Sequence, residues 1–504
     1  MASQRESNRG RSPSVRGSLR PPSLGDDARL VAWLALREVE RDDRADAQET
    51  LGELARRAGL DARDRALAFD LTQGVLRWRR LLDAAIASLD GFESARIPSP
   101  TRDVLRLGAY QHFWLGKIPR HAVVHATIEV ARKRLGARAA GFCNAALQQL
   151  LRQRPDRGSA FDLPAAGLPL DARHSMPRWL VRLLKRELGA ENLEPALARL
   201  NQPLPLFVRC NPAIASPEEA VRILGESEIR ARSRSDLAPR CVEIEGAASL
   251  LVDASLFKKG GLTIQDPSAQ LVAEFASAEP GMTVADLCAA PGGKTAALAE
   301  AMGGVGRLIA CDVSEERLAR LRENLARLGH QDFVEVRIIE PEMAPAGTST
   351  AEIRPPLAPE GGLCAQLEIG PGSADLIACD RVLVDAPCSG LGTLRRHPEI
   401  RWRVRPSDLA RMARIQGRIL DRAVVLVRPG GWLVYATCSF ASQENAEVVS
   451  AFLERHPGSF QTLRAEQGLP VCLSKRMGRD GWMRTLPHRD DMDSGGAVRL
   501  LRIA

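Results

Sequence analysis

Cys388 stands in Asp385-Ala386-Pro387-Cys388-Ser389-Gly390, and Cys438 in Tyr435-Ala436-Thr437-Cys438-Ser439. Each follows a short apolar run that reads as a buried parallel strand, Val382-Leu383-Val384 and Gly431-Trp432-Leu433-Val434-Tyr435. Upstream lies a glycine loop, Asp286-Leu287-Cys288-Ala289-Ala290-Pro291-Gly292-Gly293-Lys294-Thr295. A cofactor-type loop and two strand-end thiols in one α/β pattern suggest methyl transfer to C5 of a cytosine. In the free base C5 is a poor nucleophile. A thiolate added to C6 makes it enamine-like, and a carboxyl near N3 shares a proton as charge develops there. S-adenosylmethionine supplies the methyl group, the C5 proton leaves and the thiolate is eliminated. The chemistry needs one thiol with thiolate character, one carboxyl and a cofactor loop. A second thiol can assist release.

The elements that must position these groups alternate strand and helix from Gly261 onward. Thr283-Val284-Ala285-Asp286 reads as a strand ending at the loop, and a helix follows from Lys294. Arg307-Leu308-Ile309-Ala310-Cys311 reads as the next strand, ending at Asp312. Ser314 can cap a helix whose Leu318, Leu321, Leu325 and Leu328 line one face before Gly329. Such a doubly wound sheet binds its ligand at strand C-termini. The loop ends Gly-Lys-Thr, but Cys288 stands where a phosphate loop needs glycine. Asp312 lies nineteen residues past Gly293, where an acid can bind both ribose hydroxyls of an adenosine. A tight strand–helix turn with a capping aspartate would leave the same pattern.

The chain has 504 residues, 45% hydrophobic and 26% charged, with a formal charge of +8. That suggests several domains of ordinary globular protein and tilts toward a polyanionic partner. The ten cysteines are scattered and no two form a Cys-x-x-Cys pair, so neither a metal site nor a secreted disulfide framework is expected. Most read as small buried hydrophobes in a reducing cytoplasm. No apolar stretch approaches a membrane span. Residues 1–25 form an Arg-, Ser- and Pro-bearing tail without the apolar core of a secretory signal, read as disordered.

Residues 26–155 read as all-helical, with Leu30, Leu34, Val39 and then Leu67, Leu71, Val75 and Trp78 at helical spacing. Further helices are expected over 102–115, 121–135 and 139–151, then a Pro- and Gly-bearing linker over 154–170. Residues 171–260 read as a helical and small α+β module, and 261–504 as the catalytic α/β domain. A Pro/Gly-rich insertion over 341–379 is expected to be a surface loop dispensable for folding. Arg395, Arg396, His397, Arg401, Arg403 and Arg405 form a basic run with Trp402 inside it. The run is expected to clamp nucleic-acid backbone beside the target base, with the indole stacking.

The segments Asp70–Trp78, Leu107-Gly108-Ala109-Tyr110-Gln111, Ile118-Pro119-Arg120-His121-Ala122-Val123 and Phe142-Cys143-Asn144-Ala145-Ala146-Leu147 resemble the NusB-type RNA-binding helical domain. The catalytic block resembles the Sun/RsmB branch of bacterial 16S rRNA cytosine-C5 methyltransferases. Ile264–Gln270, Asp286–Thr295, Asp385–Gly390, Arg395-Arg396-His397-Pro398-Glu399-Ile400, Tyr435–Ser439 and Glu444-Asn445 carry the likeness. The resemblance implies a multidomain protein: a NusB-like bundle, an RRM-like α+β module and a Rossmann-type methyltransferase domain. It implies Cys438 as nucleophile, Cys388 in resolving the adduct, Asp385 facing cytosine N3, and Lys294 steadying Asp385 or the cofactor. Cys288, Ala289, Ala290, Pro291, Gly292, Gly293, Lys294, Asp312 and Asp385 would hold S-adenosylmethionine, with Glu340 standing in for an acid usual near the adenine. The expected partner is ribosomal RNA, unassembled or partly assembled, with no DNA and no membrane. Alternatives are a DNA cytosine methyltransferase and a non-catalytic RNA-binding assembly protein. Two departures stand out: the insertion, and Ser494-Gly495-Gly496 where relatives usually have Gly-Phe-Phe, which leaves packing beneath the site in doubt.

Overall fold

The computed structural model describes residues 27–42, 45–92, 96–153, 167–246, 248–339, 379–464 and 469–503. The expected tail, most of the linker, Glu340 and the insertion up to residue 378 lie outside these. Among the described residues six helices come first: α1 (Ala28–Arg41), α2 (Ala47–Arg57), α3 (Ala62–Ala87), α4 (Ser99–Trp114), α5 (Arg120–Leu135) and α6 (Ala137–Gln153). Asp27, Asp46 and Asp61 precede the first three, and each accepts a first-turn amide N–H. Leu71, Val75 and Leu82 of α3 join Val104 and Leu107 of α4 and Leu147 of α6 in one buried core. Helices approach closely at Gly74, where the Tyr110 ring occupies the space a Cβ would need.

After α7 (Leu170–Arg173), α8 (Arg178–Leu188) and α9 (Ala190–Leu200) comes a small α+β module. It comprises β1 (Leu206–Cys210), α10 (Pro217–Glu226), β2 (Arg230–Ser233), β3 (Cys241–Glu245), α11 (Ala248–Asp253), α12 (Ser255–Lys258) and β4 (Leu262–Ile264). The strands pair antiparallel in the order β2-β3-β1-β4. Strand alternation divides β1 between two cores: Val208 and Cys210 face the module's own core, while Phe207 packs into that of the next domain.

The α/β domain runs α13 (Pro267–Ala276), β5 (Thr283–Asp286), α14 (Gly293–Met302), β6 (Arg307–Asp312), α15 (Glu315–Leu328), β7 (Val334–Ile338) and β8 (Cys379–Asp385). It continues α16 (Ile400–Arg403), α17 (Pro406–Ala423), β9 (Val427–Thr437), α18 (Ala446–Arg455), β10 (Phe460–Thr462), α19 (Val471–Ser474), β11 (Trp482–Thr485) and β12 (Gly495–Arg502). The strand order is β10-β12-β9-β8-β5-β6-β7, with β11 paired to β12. Pairs among β5, β6, β7, β8 and β9 are parallel, and β12 closes on β9 antiparallel. Strand order reverses between β5 and β8, the switch point where such sheets bind ligands. The insertion reading takes one residue too many, because Cys379 is the fully buried start of β8.

Most of the basic run is committed to a junction between domains rather than left free to clamp a nucleic-acid backbone; Arg405 is its exposed member. Arg395 and Arg401 are buried, and the segment joins the α/β domain to the helical bundle. Arg77 of α3 donates two hydrogen bonds to the Arg395 carbonyl (3.1 and 3.0 Å), and Arg401 donates to the Arg77 carbonyl and to Asn201. The Trp402 indole N–H donates to the Leu76 carbonyl, so the indole is docked rather than free to stack. Arg396 pairs with Asp266 (2.6 Å) and Asp493 (3.1 Å). His397 Nδ1 lies 3.2 Å from Asp46 of the bundle and 3.3 Å from the buried Glu399. Guanidinium and imidazolium groups satisfy carbonyls and carboxylates that would otherwise be stranded at this junction.

Candidate active site

β8 delivers Asp385 at its last residue, and Cys388 follows in a loop fastened to the next strand by the Ala386 N–H on the Ala436 carbonyl (2.9 Å). β9 ends at Thr437 and delivers Cys438. The two sulfurs lie 3.1 Å apart. Cys438 is exposed and Cys388 buried. The Cys438 contact and burial push the Cys388 thiol well above its ordinary pKa, keeping it a neutral S–H.

A buried carboxylate ties the two thiol loops together. Glu444 accepts the Ser389 N–H (2.7 Å), the Ser389 hydroxyl (2.5 Å) and the Ser439 hydroxyl (2.6 Å). Ser389 and Ser439 are the residues directly after the two cysteines. Burial pushes the Glu444 carboxyl up, against the pull of those hydrogen bonds. Its signal in the sequence is the Glu444-Asn445 pair, which carries no role until the loops are seen folded together.

β12 passes directly beneath. Gly392 N–H donates to the Cys438 carbonyl (2.8 Å), and Ser494 N–H donates to the Gly392 carbonyl (2.9 Å). A Cβ at Gly495 would stand 2.5 Å from the Thr437 carbonyl, and one at Gly496 3.3 Å from Trp482. At the unusual Ser494-Gly495-Gly496, backbone itself lies close under the Cys438 loop, where a side chain would collide.

On the other side of the switch point, Lys294 Nζ reaches Asp385 at 2.6 Å. Burial works against the ammonium, but Asp385 outweighs it, and the Lys294 pKa is raised. The loop from Asp286 to Gly293 turns through Gly292 at φ +102°, where a Cβ would be left-handed and 3.2 Å from Leu321. Ala289 N–H donates to the Cys311 carbonyl and Ala290 N–H to Asp312 (3.2 Å). Asp312 is fully buried at the end of β6 and also accepts from the Val313 N–H and Arg317. Cys288 and Pro291 line the same turn, with Asn324 of α15 donating to the Pro291 carbonyl.

Asp286 is a residue the sequence reading passed over. It is buried, Thr295 donates to its Oδ2 (2.8 Å), and its Oδ1 has no partner. Burial raises its pKa to about 7. An unpaired carboxylate oxygen at the switch point, an acid at the next strand end and a glycine turn between them fit S-adenosylmethionine, which carries an ammonium and a ribose diol. The available signal was an acid closing an apolar strand just before the glycine loop.

Three family patterns match: the NusB family over residues 26–152, the RsmF/B-like ferredoxin-like domain over 176–250 and the 16S rRNA methyltransferase RsmB/F family over 275–496. The ribosomal RNA small subunit methyltransferase B of Pseudomonas putida is 32% identical over 451 residues, covering 84% of this chain and 90% of that protein. Its counterpart from Sodalis glossinidius is 31% identical, covering 90% and 96%. Among solved structures, PH0851 superposes with a TM-score of 0.72 at 24% identity, covering 96% of this chain and 100% of its own. With these matches running through the bundle, the α+β module and the catalytic sheet, the chain belongs to the RsmB/F family of S-adenosylmethionine-dependent 16S rRNA methyltransferases.

Proposed function

We propose that this protein methylates C5 of a cytosine in small-subunit ribosomal RNA through a covalent bond between Cys438 and C6. The observation that carries the reading is the 3.1 Å thiol pair, one member exposed and the other buried, beside the Lys294–Asp385 contact. The exposed Cys438 is open to a base, and its thiolate would accept a hydrogen bond from the neutral Cys388 S–H. The bond to C6 forms as the C5–C6 π electrons move toward N3, where a proton shared between Lys294 and Asp385 meets the charge that develops. S-adenosylmethionine, when bound, supplies an electrophilic methyl group at C5. Cys388, once it has passed its own proton to solvent, or a solvent base in its place, then takes the C5 proton; the C5–H electrons restore the double bond, and the Cys438–C6 bond breaks to return the thiolate. Asp286, Gly292, Gly293 and Asp312 would hold the cofactor.

The relatives named above act, by their names, on the small ribosomal RNA. For this chain we infer the same substrate, unassembled or partly assembled, and a cytoplasmic setting. Among the described residues the cysteines are free and no helix is long and apolar enough to cross a membrane. We divide the chain into an RNA-contacting helical domain (26–155), an α+β module (171–260) and a catalytic domain (261–504). With most of the basic run committed to the domain junction, further cations are needed to meet the phosphates. Helix α8 presses Leu180, Leu183, Leu184 and Leu188 onto a core shared with Phe440 and Ala441 of the nucleophile loop. Its Glu187 binds Ser442, and its opposite face exposes Arg182, Lys185 and Arg186.

The test is covalent trapping on denaturing gels. With RNA carrying 5-fluorocytosine, the wild type should form a stable adduct, because fluorine cannot leave C5 as a proton. Cys438→Ala should form none. Cys388→Ala should attack ordinary RNA but release it slowly, so a protein–RNA band accumulates. Adduct lost in Cys388→Ala and kept in Cys438→Ala would reverse the thiol roles. No adduct in any variant would favour a binding protein with an idle site.

A further inference from the structure

The α+β module sends a fully buried charge into the cofactor domain. Arg209 lies on β1, whose Phe207 already packs there, and its side chain is fully buried. Its guanidinium meets Glu300 of α14 through two hydrogen bonds, Nε at 3.0 Å and Nη2 at 2.8 Å. Nη1 donates to the Gly293 carbonyl at 2.8 Å and to Gln265. Gly293 opens α14 and immediately precedes Lys294, whose Nζ reaches Asp385. Arg240, just before β3 of the same module, adds a second contact to Glu300 at 2.7 Å and reaches Glu274 of α13 at 2.9 Å.

We propose that Arg209 is a positioning residue that sets the shape of the cofactor loop and, through Gly293, the placement of Lys294 against Asp385. The planar guanidinium is what makes this possible. It spends one edge on a carboxylate and keeps another N–H for a carbonyl in a different direction. A lysine ammonium offers its three donors from a single nitrogen, so it does not reproduce the separate Nε and Nη2 contacts to Glu300 and the Nη1 contact to the Gly293 carbonyl. The α+β module then supports the cofactor loop, holding it through the Gly293 carbonyl. This rests on the reading that residues 286–294 hold S-adenosylmethionine.

The experiment uses the full chain and S-adenosylhomocysteine as the probe. Calorimetry gives cofactor affinity, thermal unfolding gives stability, and hydrogen exchange reports the amides around residues 289–296. Arg209→Lys should weaken affinity at least about tenfold and speed loop exchange. Leu298→Ala, a cavity in the buried face of the same helix, is the control for destabilisation alone. It should lower the unfolding temperature while affinity stays within about twofold. If Arg209→Lys does not fold, the paired change Arg209→Gln with Glu300→Gln removes both buried charges together and should show the same affinity loss. A folded Arg209 variant with affinity within about twofold of wild type overturns the proposal, as does one whose loss matches that of Leu298→Ala at equal stability. Asp312→Ala separates the two readings. If it too leaves affinity unchanged, the loop assignment has failed; if it weakens affinity while Arg209→Lys does not, only the positioning role has.

Discussion

Asp286 and Glu444 are both carboxyls placed where water cannot solvate them, yet their surroundings differ. Glu444 has donors on both oxygens, so its burial is compensated. Asp286 has one oxygen without a partner and a pKa raised to about 7 from 3.8. A carboxyl whose folded pKa is raised contributes its stability fully below the unfolded value, and that contribution is lost as pH rises through the folded one. Asp286→Asn should therefore match wild type in unfolding temperature near pH 3.8, gain on it as pH rises, and reach its full advantage above about pH 7. That advantage should amount to a few kcal/mol at most and accompany weaker cofactor binding, a trade of stability for function. A constant difference across this range would mean that Asp286 does not titrate there. Glu444→Ala leaves the Ser389 N–H, the Ser389 hydroxyl and the Ser439 hydroxyl without their acceptor. Each stranded donor costs about 1–3 kcal/mol. The variant should melt earlier and form the 5-fluorocytosine adduct at least about tenfold more slowly, although Cys438 is intact. Adduct formation at the wild-type rate would show that the two loops hold their own shape.

Helix α8 shows what an element contributes when one face is apolar and the other charged. Its leucines fix it to the Cys438 loop, and Arg182 and Lys185 remain exposed on the far side. Replacing both with alanine should leave cofactor binding alone and weaken RNA affinity evenly across sequences. The slope of log affinity against log salt should shrink by about two if both meet phosphates. An unchanged slope would return the face to plain solvation. Periodicity made most of the elements legible in the sequence. Leucines at helical spacing from Leu318 to Leu328 are the buried face of α15, and Ser314 does cap it. Val382-Leu383-Val384 is a strand buried on both faces, as three consecutive apolar residues imply. Periodicity says that a face is covered without saying by what. The 3.1 Å approach of Cys388 and Cys438 depends on β8 and β9 lying side by side, and Glu444 matters only once their loops meet. The run from Arg395 to Arg405 misled for the same reason. A solvated basic face and a largely covered row of guanidinium groups capping carbonyls are written with the same letters.

At the scale of the whole molecule, that row decides how the helical bundle stands against the catalytic sheet. Contacts from Arg77, Leu76 and Asp46 of the bundle converge on a few residues just past the Cys388 loop, so bundle and active site are held as neighbours. His397 is the titratable member. Burial disfavours its charge, but Asp46 and Glu399 more than offset this, and its pKa rises to about 10 from 6.5. Asp46 moves the other way, to about 2 from 3.8: burial would raise it, but the His397 contact and the Glu49 and Gln48 amides prevail. A raised histidine gives stability that is whole below its unfolded pKa and is lost as pH rises through the folded one. A depressed aspartate gives stability that is present above its unfolded pKa and is lost as pH falls through the folded one. The latch should thus be at full strength between about pH 3.8 and 6.5, and weaken as pH climbs toward 10. His397→Gln keeps a ring-sized polar group but carries no charge. Compared by urea unfolding at fixed ionic strength, it should be less stable than wild type by a constant amount from about pH 5 to 6.5. That gap should narrow above pH 6.5 and nearly close beyond pH 10. A gap that stays level to pH 10 would mean that shape, not charge, makes this contact. A gap that widens with pH would mean that His397 is neutral in the folded protein and that the two carboxylates beside it are held by other groups.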